Sequence, residues 1–208
     1  MSDEDKEWFP KCQKVLYTPL FLNPDGHMVS WLIVDYYVAA RSIVERILQR
    51  ETLDGEVLDD MEGRAALFLF RHYLELALKD VVFNLRRLKT KRDNLPQEEW
   101  GKWPSGHSLN VLWDEIKMQF PQKMGQKWWD SLDTQFAEKC VTEFHDIDPS
   151  SERFRYQRER TRIRDQSKHL EVSWTSLLRV IEHASEVLEM MGGDVEATYN
   201  ENEQRKSC

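Results

Sequence analysis

Residues 65–88 read AALFLFRHYLELALKDVVFNLRRL, and they set the architecture of this chain. They lie within a helical pattern that runs from about Asp59 to Thr90, and apolar side chains occupy almost every side of that helix. A helix that is apolar all round needs neighbours on every face, so it sits at the centre of a domain. We therefore predict an all-α protein, an antiparallel bundle of about five helices around this segment.

Four further segments have amphipathic spacing and are predicted as helices: 28–49, 107–120, 123–146 and 173–191. We expect Pro121 to end the second of them and Gly192-Gly193 to end the last. The first is expected to bury one face, formed by Trp31, Leu32, Val34, Tyr37, Val38, Ala40, Ile43, Val44, Ile47 and Leu48. Residues 91–106 hold two prolines and two glycines and are predicted to be a loop that carries function or covers a site.

The predicted organisation is a single helical domain with extensions at both ends. Residues 1–27 are rich in turn signals and aromatic side chains and form an N-terminal arm, and residues 28–193 form the domain. The polar stretch 194–208 has no apolar period, so we expect a disordered tail. Residues 151–170 interrupt the helical pattern and are predicted to be a loop insertion or a short β-hairpin.

Composition and charge narrow the functional classes. The chain has 208 residues, 40% of them hydrophobic, and a formal net charge of −8, which argues against a protein that coats nucleic acid non-specifically. Three cysteines without CxxC spacing predict neither a disulfide framework nor a zinc site, and no metal or cofactor motif is present. Without an export signal or an apolar membrane span in the sequence, we expect a cytoplasmic protein.

The central helix carries a polar stripe formed by Arg71, His72, Glu75 and Lys79. At 100° per residue the four positions fall within a sector about 100° wide. The first interpretation is a structural network, because alternating charges at i, i+4 and i+8 can pair. The second places His72 or Glu75 at the floor of a ligand-binding or catalytic cleft, where buried titratable groups are common.

Residues 151–170 are strongly basic, with six arginines and one lysine against three acidic residues, a net charge of +4. The candidate RNA- or phosphate-binding residues are Arg153, Arg155, Tyr156 and Arg158. Arginines beside aromatic side chains suit a phosphate backbone with stacked bases. The alternative is a basic strip that pairs with the acidic surface of the domain or with an acidic partner.

Arg164 and His169 form an R-x4-H pattern in the same segment. An arginine can stabilise developing phosphate charge while a histidine transfers a proton, and together they suit cleavage of RNA through its own 2′-hydroxyl. His107 stands at the start of a predicted helix after Pro104-Ser105-Gly106, so we assign it a structural role in buttressing that turn.

Three strings in order, RHYLELALK at 71–79, GHSLNVLW at 106–113 and DPSSERFRY at 148–156, resemble the HEPN superfamily. The resemblance implies an antiparallel helical bundle that often forms a homodimer and occurs in prokaryotic toxin, phage-defence and stress systems. It also implies metal-independent RNA cleavage where the R-x4-6-H motif is intact, with an antitoxin or a defence component as a protein partner.

Two functions follow as hypotheses. The first is a non-catalytic HEPN-like module that dimerises and binds a protein, a nucleotide or RNA. The alternative is a metal-independent endoribonuclease that uses Arg164 and His169. In either case we expect Arg71, Glu75 and Lys79 to form one network with the helix start at His107 and with the Arg155-Tyr156 segment, because isolated buried charges are costly.

Overall fold

A computed structural model describes residues 28–54, 60–92, 102–131, 133–151 and 172–205. These residues form six helices: α1 Met28–Asp54, α2 Asp60–Arg92, α3 Leu109–Met124, α4 Gln126–Ser131, α5 Thr134–Ile147 and α6 Trp174–Gln204. They contain no strand, so the predicted all-α helical bundle is confirmed. The predicted N-terminal arm at 1–27 lies outside the described residues, as does almost all of the insertion predicted at 151–170.

Helix α2 is the centre of the bundle and packs against α1, α3 and α6. Apolar side chains are buried on several sides of this helix, as at Phe70, Tyr73, Leu78 and Val82. Helix α5 closes the far side by packing on α3 and α6. The continuous apolar run that identified this helix in the sequence is therefore explained by neighbours on each of its faces. None of the described helices has the length and apolar character needed to cross a membrane.

The face that α1 buries differs from the expected one. Ala40, Val44 and Ile47 are fully buried, whereas Leu32, Val34 and Val38 stay exposed. The prediction that all ten apolar residues share one buried face is wrong for these three. On a helix, positions 40, 44 and 47 lie close together, but 32, 34 and 38 fall on its other sides.

Two of the predicted helix boundaries are wrong in the middle of the chain. Pro121 lies inside α3, and the helix ends at Met124 where the amide of Gly125 donates to the Pro121 carbonyl at 3.0 Å. The single helix predicted over 123–146 is two helices, α4 and α5. The second starts at a local cap, because the Asp133 carboxylate accepts a hydrogen bond from the Phe136 amide.

Helix α6 continues through Gly192-Gly193 to Gln204, so the predicted stop and the disordered tail are wrong over residues 194–204. Met191 and Val195 are fully buried and extend the apolar stripe of the helix by another turn. Each interior glycine costs about 1 kcal/mol relative to alanine. Burial of these side chains outweighs that cost, since a fully buried valine or methionine contributes about 1.5–3 kcal/mol.

Candidate functional site: the polar stripe of the central helix

The buried carboxylate of Glu75 is the centre of a charged network on α2. Arg71 Nη1 donates to Glu75 Oε2 at 3.1 Å, and Lys79 Nζ donates to Oε1 at 2.8 Å. His107 Nδ1 lies 2.8 Å from the same Oε1. Arg71, Glu75 and Lys79 are all buried, so two cations and a carboxylate satisfy one another inside the bundle.

Arg71 connects three parts of the fold through one guanidinium group. Besides Glu75, it donates from Nη2 to the His107 carbonyl at 2.5 Å and from Nε to the Asp148 carbonyl at 3.2 Å. His107 precedes α3 and Asp148 follows α5. The planar, multi-donor guanidinium suits this role because it can bond several fixed acceptors at once. The contacts bring together residues from the three sequence strings at 71–79, 106–113 and 148–156.

The polar stripe continues to Arg86 near the end of α2. There Arg86 binds the chain segment that leads into α3, at Lys102. Arg86 Nη1 donates to the Lys102 carbonyl at 3.2 Å, while its Nε and Nη2 each contact the Glu115 carboxylate at 2.7 Å. Phe83 packs on Trp103 with ring centroids 5.6 Å apart. Positions 71, 75, 79, 83 and 86 follow three-and-four spacing, so they lie on one face of the helix.

Residues 102–108, named here the α3 approach loop, therefore run along this face from Arg86 back to Arg71. The axial rise of α2 from Arg71 to Arg86 is about 22 Å, whereas the five peptide units from Lys102 to His107 reach about 17 Å when extended. Long arginine side chains close the difference. The two anchors leave Trp103 and the imidazole of His107 exposed, while Pro104 between them is buried.

The charge state of Glu75 fixes the orientation of His107. Burial acts to raise the pKa of Glu75, but hydrogen bonds from Lys79 and His107 together with their charges prevail, and the pKa lies below its ordinary value. An ionised carboxylate only accepts hydrogen bonds, so Nδ1 of His107 carries the proton that it shares. The other ring nitrogen, Nε2, is left to hydrogen-bond with a ligand, since the imidazole is exposed.

His72, the fourth residue of the predicted stripe, makes aromatic contacts. Its ring packs edge-on against Tyr36 of α1 at 4.5 Å and stacks on Phe68 at 5.9 Å. The hypothesis that His72 shares one slot with Glu75 stays a prediction. The His72 ring contacts lie toward α1 and Phe68, whereas Arg71 reaches the α3 approach loop.

The remaining predicted site residues lie outside the described residues: Arg153, Arg155, Tyr156, Arg158, Arg164 and His169. Ser151 is the last described residue before them, and it is buried with φ +62. Its amide donates to the Asp148 carbonyl, the group that also receives Arg71 Nε. The Arg-rich segment thus starts directly beside the network.

Sequence reasoning missed the contributions of Phe83, Arg86 and Trp103. The three-and-four spacing of Arg71, Glu75 and Lys79 continues at Phe83 and Arg86, so the sequence could have predicted that these two residues lie on the same face. Nothing in the sequence indicates that backbone carbonyls at 102, 107 and 148 accept from arginines, because those contacts depend on tertiary packing.

A second group of titratable side chains lies between α5 and α6 around an open groove of about 490 Å³. The groove is lined by Asp133, Phe136, Arg179, Glu182, His183 and Glu186. Asp133 Oδ2 contacts His183 Nε2 at 2.8 Å, and the edge of Phe136 packs on the His183 ring at 4.4 Å. Within the described ranges no group of three or more potential ligands is placed to hold a metal ion. This groove is shallow and its charges are solvated.

Cys140 is the one cysteine whose side chain falls within the described residues, and it is buried in the core. Burial, with a smaller effect of Glu143, raises the pKa of its thiol to about 12. A thiol of that kind packs as a small apolar group and is a poor nucleophile.

Comparisons with protein families, with curated proteins and with solved structures found no match to this chain. The resemblance to the HEPN superfamily rests on the three sequence strings and on nothing beyond them. A function must therefore be argued from the residues and from the geometry of the polar stripe.

Proposed function

We propose that this protein is a non-catalytic RNA-binding module, in which the helical bundle holds the α3 approach loop beside the start of the Arg-rich segment 151–170. The observation that carries the proposal is the double contact of Arg71 with the His107 and Asp148 carbonyls. A buried arginine that joins these two chain segments defines their relative position. Rigid support of this kind lowers the ordering cost that a binding surface incurs.

The exposed groups on this side of the molecule suit single-stranded RNA. Trp103 offers an aromatic face held by Phe83, and stacking of a base on such a side chain contributes about 1–3 kcal/mol. His107, oriented by Glu75, offers a hydrogen-bonding nitrogen farther along the same loop. The Arg-rich segment supplies the cations that neutralise phosphates.

The overall charge restricts where RNA can bind. The chain has a formal net charge of −8, while residues 151–170 alone carry +4. The rest of the protein is therefore strongly acidic and repels phosphate. RNA binding confined to one basic segment is typical of a protein with a localised binding site, not of a protein that coats nucleic acid non-specifically.

Charge-matched variants test the proposal by fluorescence anisotropy with a labelled single-stranded RNA. Arg155→Ala, Arg158→Ala and Arg164→Ala combined should weaken binding and flatten its salt dependence, by about 0.7 in the log–log slope for each phosphate that is no longer neutralised. Combined Lys127→Ala, Lys139→Ala and Arg205→Ala removes three exposed cations elsewhere and should change little. Equal weakening by both sets would reject a localised binding surface.

The aromatic contribution has its own test. Trp103→Ala should weaken RNA binding about tenfold, because it removes a stacking platform. Met118→Ala truncates another exposed apolar side chain, on α3, and serves as the control. If Trp103→Ala binds RNA with unchanged affinity, the α3 approach loop is not part of the RNA-binding surface.

The alternative function, a metal-independent endoribonuclease, makes a different prediction for the same RNA. A binding module leaves the RNA intact in EDTA, whereas the endoribonuclease cuts it and loses that activity in His169→Ala. Cleavage that depends on Arg164 and His169 would replace our proposal. Failure of every RNA to bind, with capture of an acidic protein by the same Arg-rich segment, would favour a protein partner instead.

A further inference from the structure

A row of planar side chains crosses the C-terminal part of α2 and joins the α3 approach loop to α6. Trp103 of the loop packs on Phe83 with ring centroids 5.6 Å apart. The guanidinium carbon of Arg87, one turn further along α2, lies 5.6 Å from the centre of the Phe83 ring and 3.8 Å from the centre of the Tyr199 ring of α6. These four residues are named here the aromatic–arginine strip.

Two rings and one amide group hold the guanidinium of Arg87 in place. Both ring centres lie within the roughly 6 Å range of a cation–π contact, and Nη1 donates to the side-chain oxygen of Asn84 at 3.3 Å. A planar guanidinium stacked on aromatic rings keeps a fixed orientation. Because Arg87 is oriented in advance, it loses little conformational entropy when it binds a ligand.

The charge of Arg87 is not neutralised by an ion pair within the part of the chain that the structure describes. The neighbouring Arg86 contacts the Glu115 carboxylate through two nitrogens, whereas Arg87 is linked to Asp80 through Asn84, whose amide nitrogen donates to Asp80 Oδ2 at 3.2 Å. A guanidinium has five N–H groups, and the bond to Asn84 uses one of them. Arg87 therefore has hydrogen-bond donors and a positive charge to offer to an anion.

The sequence around Arg87 is basic, although the chain is acidic. Residues 86–92 contain five arginine and lysine residues and no acidic residue, whereas the whole chain has a formal net charge of −8. Cations in the last turn of a helix complement its dipole, but Arg87 precedes the last turn of α2, which ends at Arg92. The helix dipole therefore does not account for a held arginine without an ion pair at this position, and the local positive charge attracts phosphate.

We propose that Arg87 binds a phosphate group of single-stranded RNA, close to the base that stacks on Trp103. This inference rests on the proposed function and extends the bound strand toward the end of α2. Phe83 lies 5.6 Å from both Trp103 and Arg87, so the indole and the guanidinium are within about 11 Å of each other. A stacked strand advances about 3.4 Å per nucleotide, so about three nucleotides cover that distance.

The aromatic–arginine strip provides a suitable group for each part of a nucleotide. The side chain of Trp103 is 37% exposed and offers a ring face to a base. The guanidinium of Arg87 can donate two parallel hydrogen bonds to phosphate oxygens, a geometry that a lysine cannot supply. Tyr199 and Phe83 hold Arg87 in position for that contact.

Fluorescence anisotropy with a labelled single-stranded RNA of about 12 nucleotides tests this phosphate contact. Arg87→Gln should weaken binding about tenfold and lower the log–log salt slope by about 0.7, the value for one phosphate of a single strand. Arg179→Gln removes an exposed arginine that lies on α6 in the groove beside α5, and it should change neither quantity.

An abasic RNA of the same length separates phosphate binding from base stacking. Arg87→Gln should weaken binding of the abasic strand by the same factor, whereas Trp103→Ala should have no effect on it because no base is present to stack. Tyr199→Phe keeps a ring against the guanidinium and should bind as wild type does. Tyr199→Leu removes that ring and should lose part of the affinity, while circular dichroism checks that its helix content is retained.

The outcomes distinguish this inference from the proposed function. If the wild type binds RNA and Arg87→Gln binds it equally well with an unchanged salt slope, Arg87 does not bind phosphate and only this inference fails. An effect of Arg87→Gln that disappears with the abasic strand would also overturn it, because Arg87 would then stack on a base. If the wild type binds no RNA, the proposed function and this inference fail together.

Discussion

Two histidine–carboxylate pairs in this protein have the same length but lie in different surroundings. His107 Nδ1 is 2.8 Å from Glu75 Oε1, and His183 Nε2 is 2.8 Å from Asp133 Oδ2. The Glu75 side chain is 2% exposed, whereas Asp133 is 56% exposed. The comparison teaches that contact distance alone does not rank interactions, because both members of the second pair are open to solvent, whereas the carboxylate of the first pair is buried.

The neighbours of each pair widen this difference. Glu75 is also held by Arg71 and Lys79, both buried, so its removal leaves two cations without a counter-charge. Asp133 and His183 lie in an open groove where water can replace either partner. Removing one member of a buried group is therefore costly, while removing one member of an exposed pair costs little.

The largest effect is expected for Glu75→Ala, with a decrease of about 3–5 kcal/mol in the free energy of unfolding. The double variant with Lys79→Ala should recover part of that decrease, because it removes one of the two stranded cations and paired neighbours deviate from additivity. Urea denaturation followed by circular dichroism measures both. A change near zero for Glu75→Ala would show that the buried network contributes nothing to stability.

The pH dependence of stability should distinguish the two pairs next. Because the folded-state pKa of Glu75 is below its ordinary value of 4.5, its contribution is fully present above that value. It is lost as the pH falls through the folded pKa, when Arg71 and Lys79 are left beside a neutral carboxyl group. The stability difference between wild type and Glu75→Gln should thus be large at neutral pH and shrink in acid.

Urea denaturation at neutral pH and at about pH 3 measures this narrowing. Asp133→Asn serves as the control, and its difference from wild type should stay small at both values. If the difference in unfolding free energy between wild type and Glu75→Gln is the same at both pH values, the ionisation of Glu75 is not linked to folding.

The smallest effect is expected at the exposed pair. Asp133→Asn should change the free energy of unfolding by no more than about 0.5 kcal/mol, as other surface substitutions do. Asparagine also retains an oxygen that can cap the start of α5 through the Phe136 amide. Thermal denaturation of Asp133→Asn measures this change. If the variant is destabilised as much as Glu75→Ala, the exposed pair and the buried pair do not differ in their contribution to stability.

The sequence predicted the central helix and its charged stripe well, for a physical reason. An apolar run over 65–88 leaves few options other than a central helix, and charges at 71, 75 and 79 must then pair inside the bundle. Local spacing was less informative at helix ends. Burial of Val195 carries α6 through Gly192-Gly193, and no local signal reports a tertiary contact of that kind.

The candidate site was only half predictable for a similar reason. The cost of isolated buried charges predicts a network that reaches the helix start at His107, but the orientation of its ring toward Glu75 depends on how α3 packs against α2. The anchoring of Lys102, His107 and Asp148 through their backbone carbonyls has no sequence signature, since every residue has a carbonyl group. The exposure of Leu32, Val34 and Val38 likewise reflects which neighbours α1 has.

Hydrogen–deuterium exchange on Arg71→Lys tests whether one buried guanidinium holds the α3 approach loop and the start of the Arg-rich segment together. Lysine keeps the charge but cannot supply the three separate contacts to Glu75, His107 and Asp148. We expect faster exchange at residues 105–112 and 148–151, with α6 as protected as in wild type. Unchanged protection at both segments would show that Arg71 does not position them.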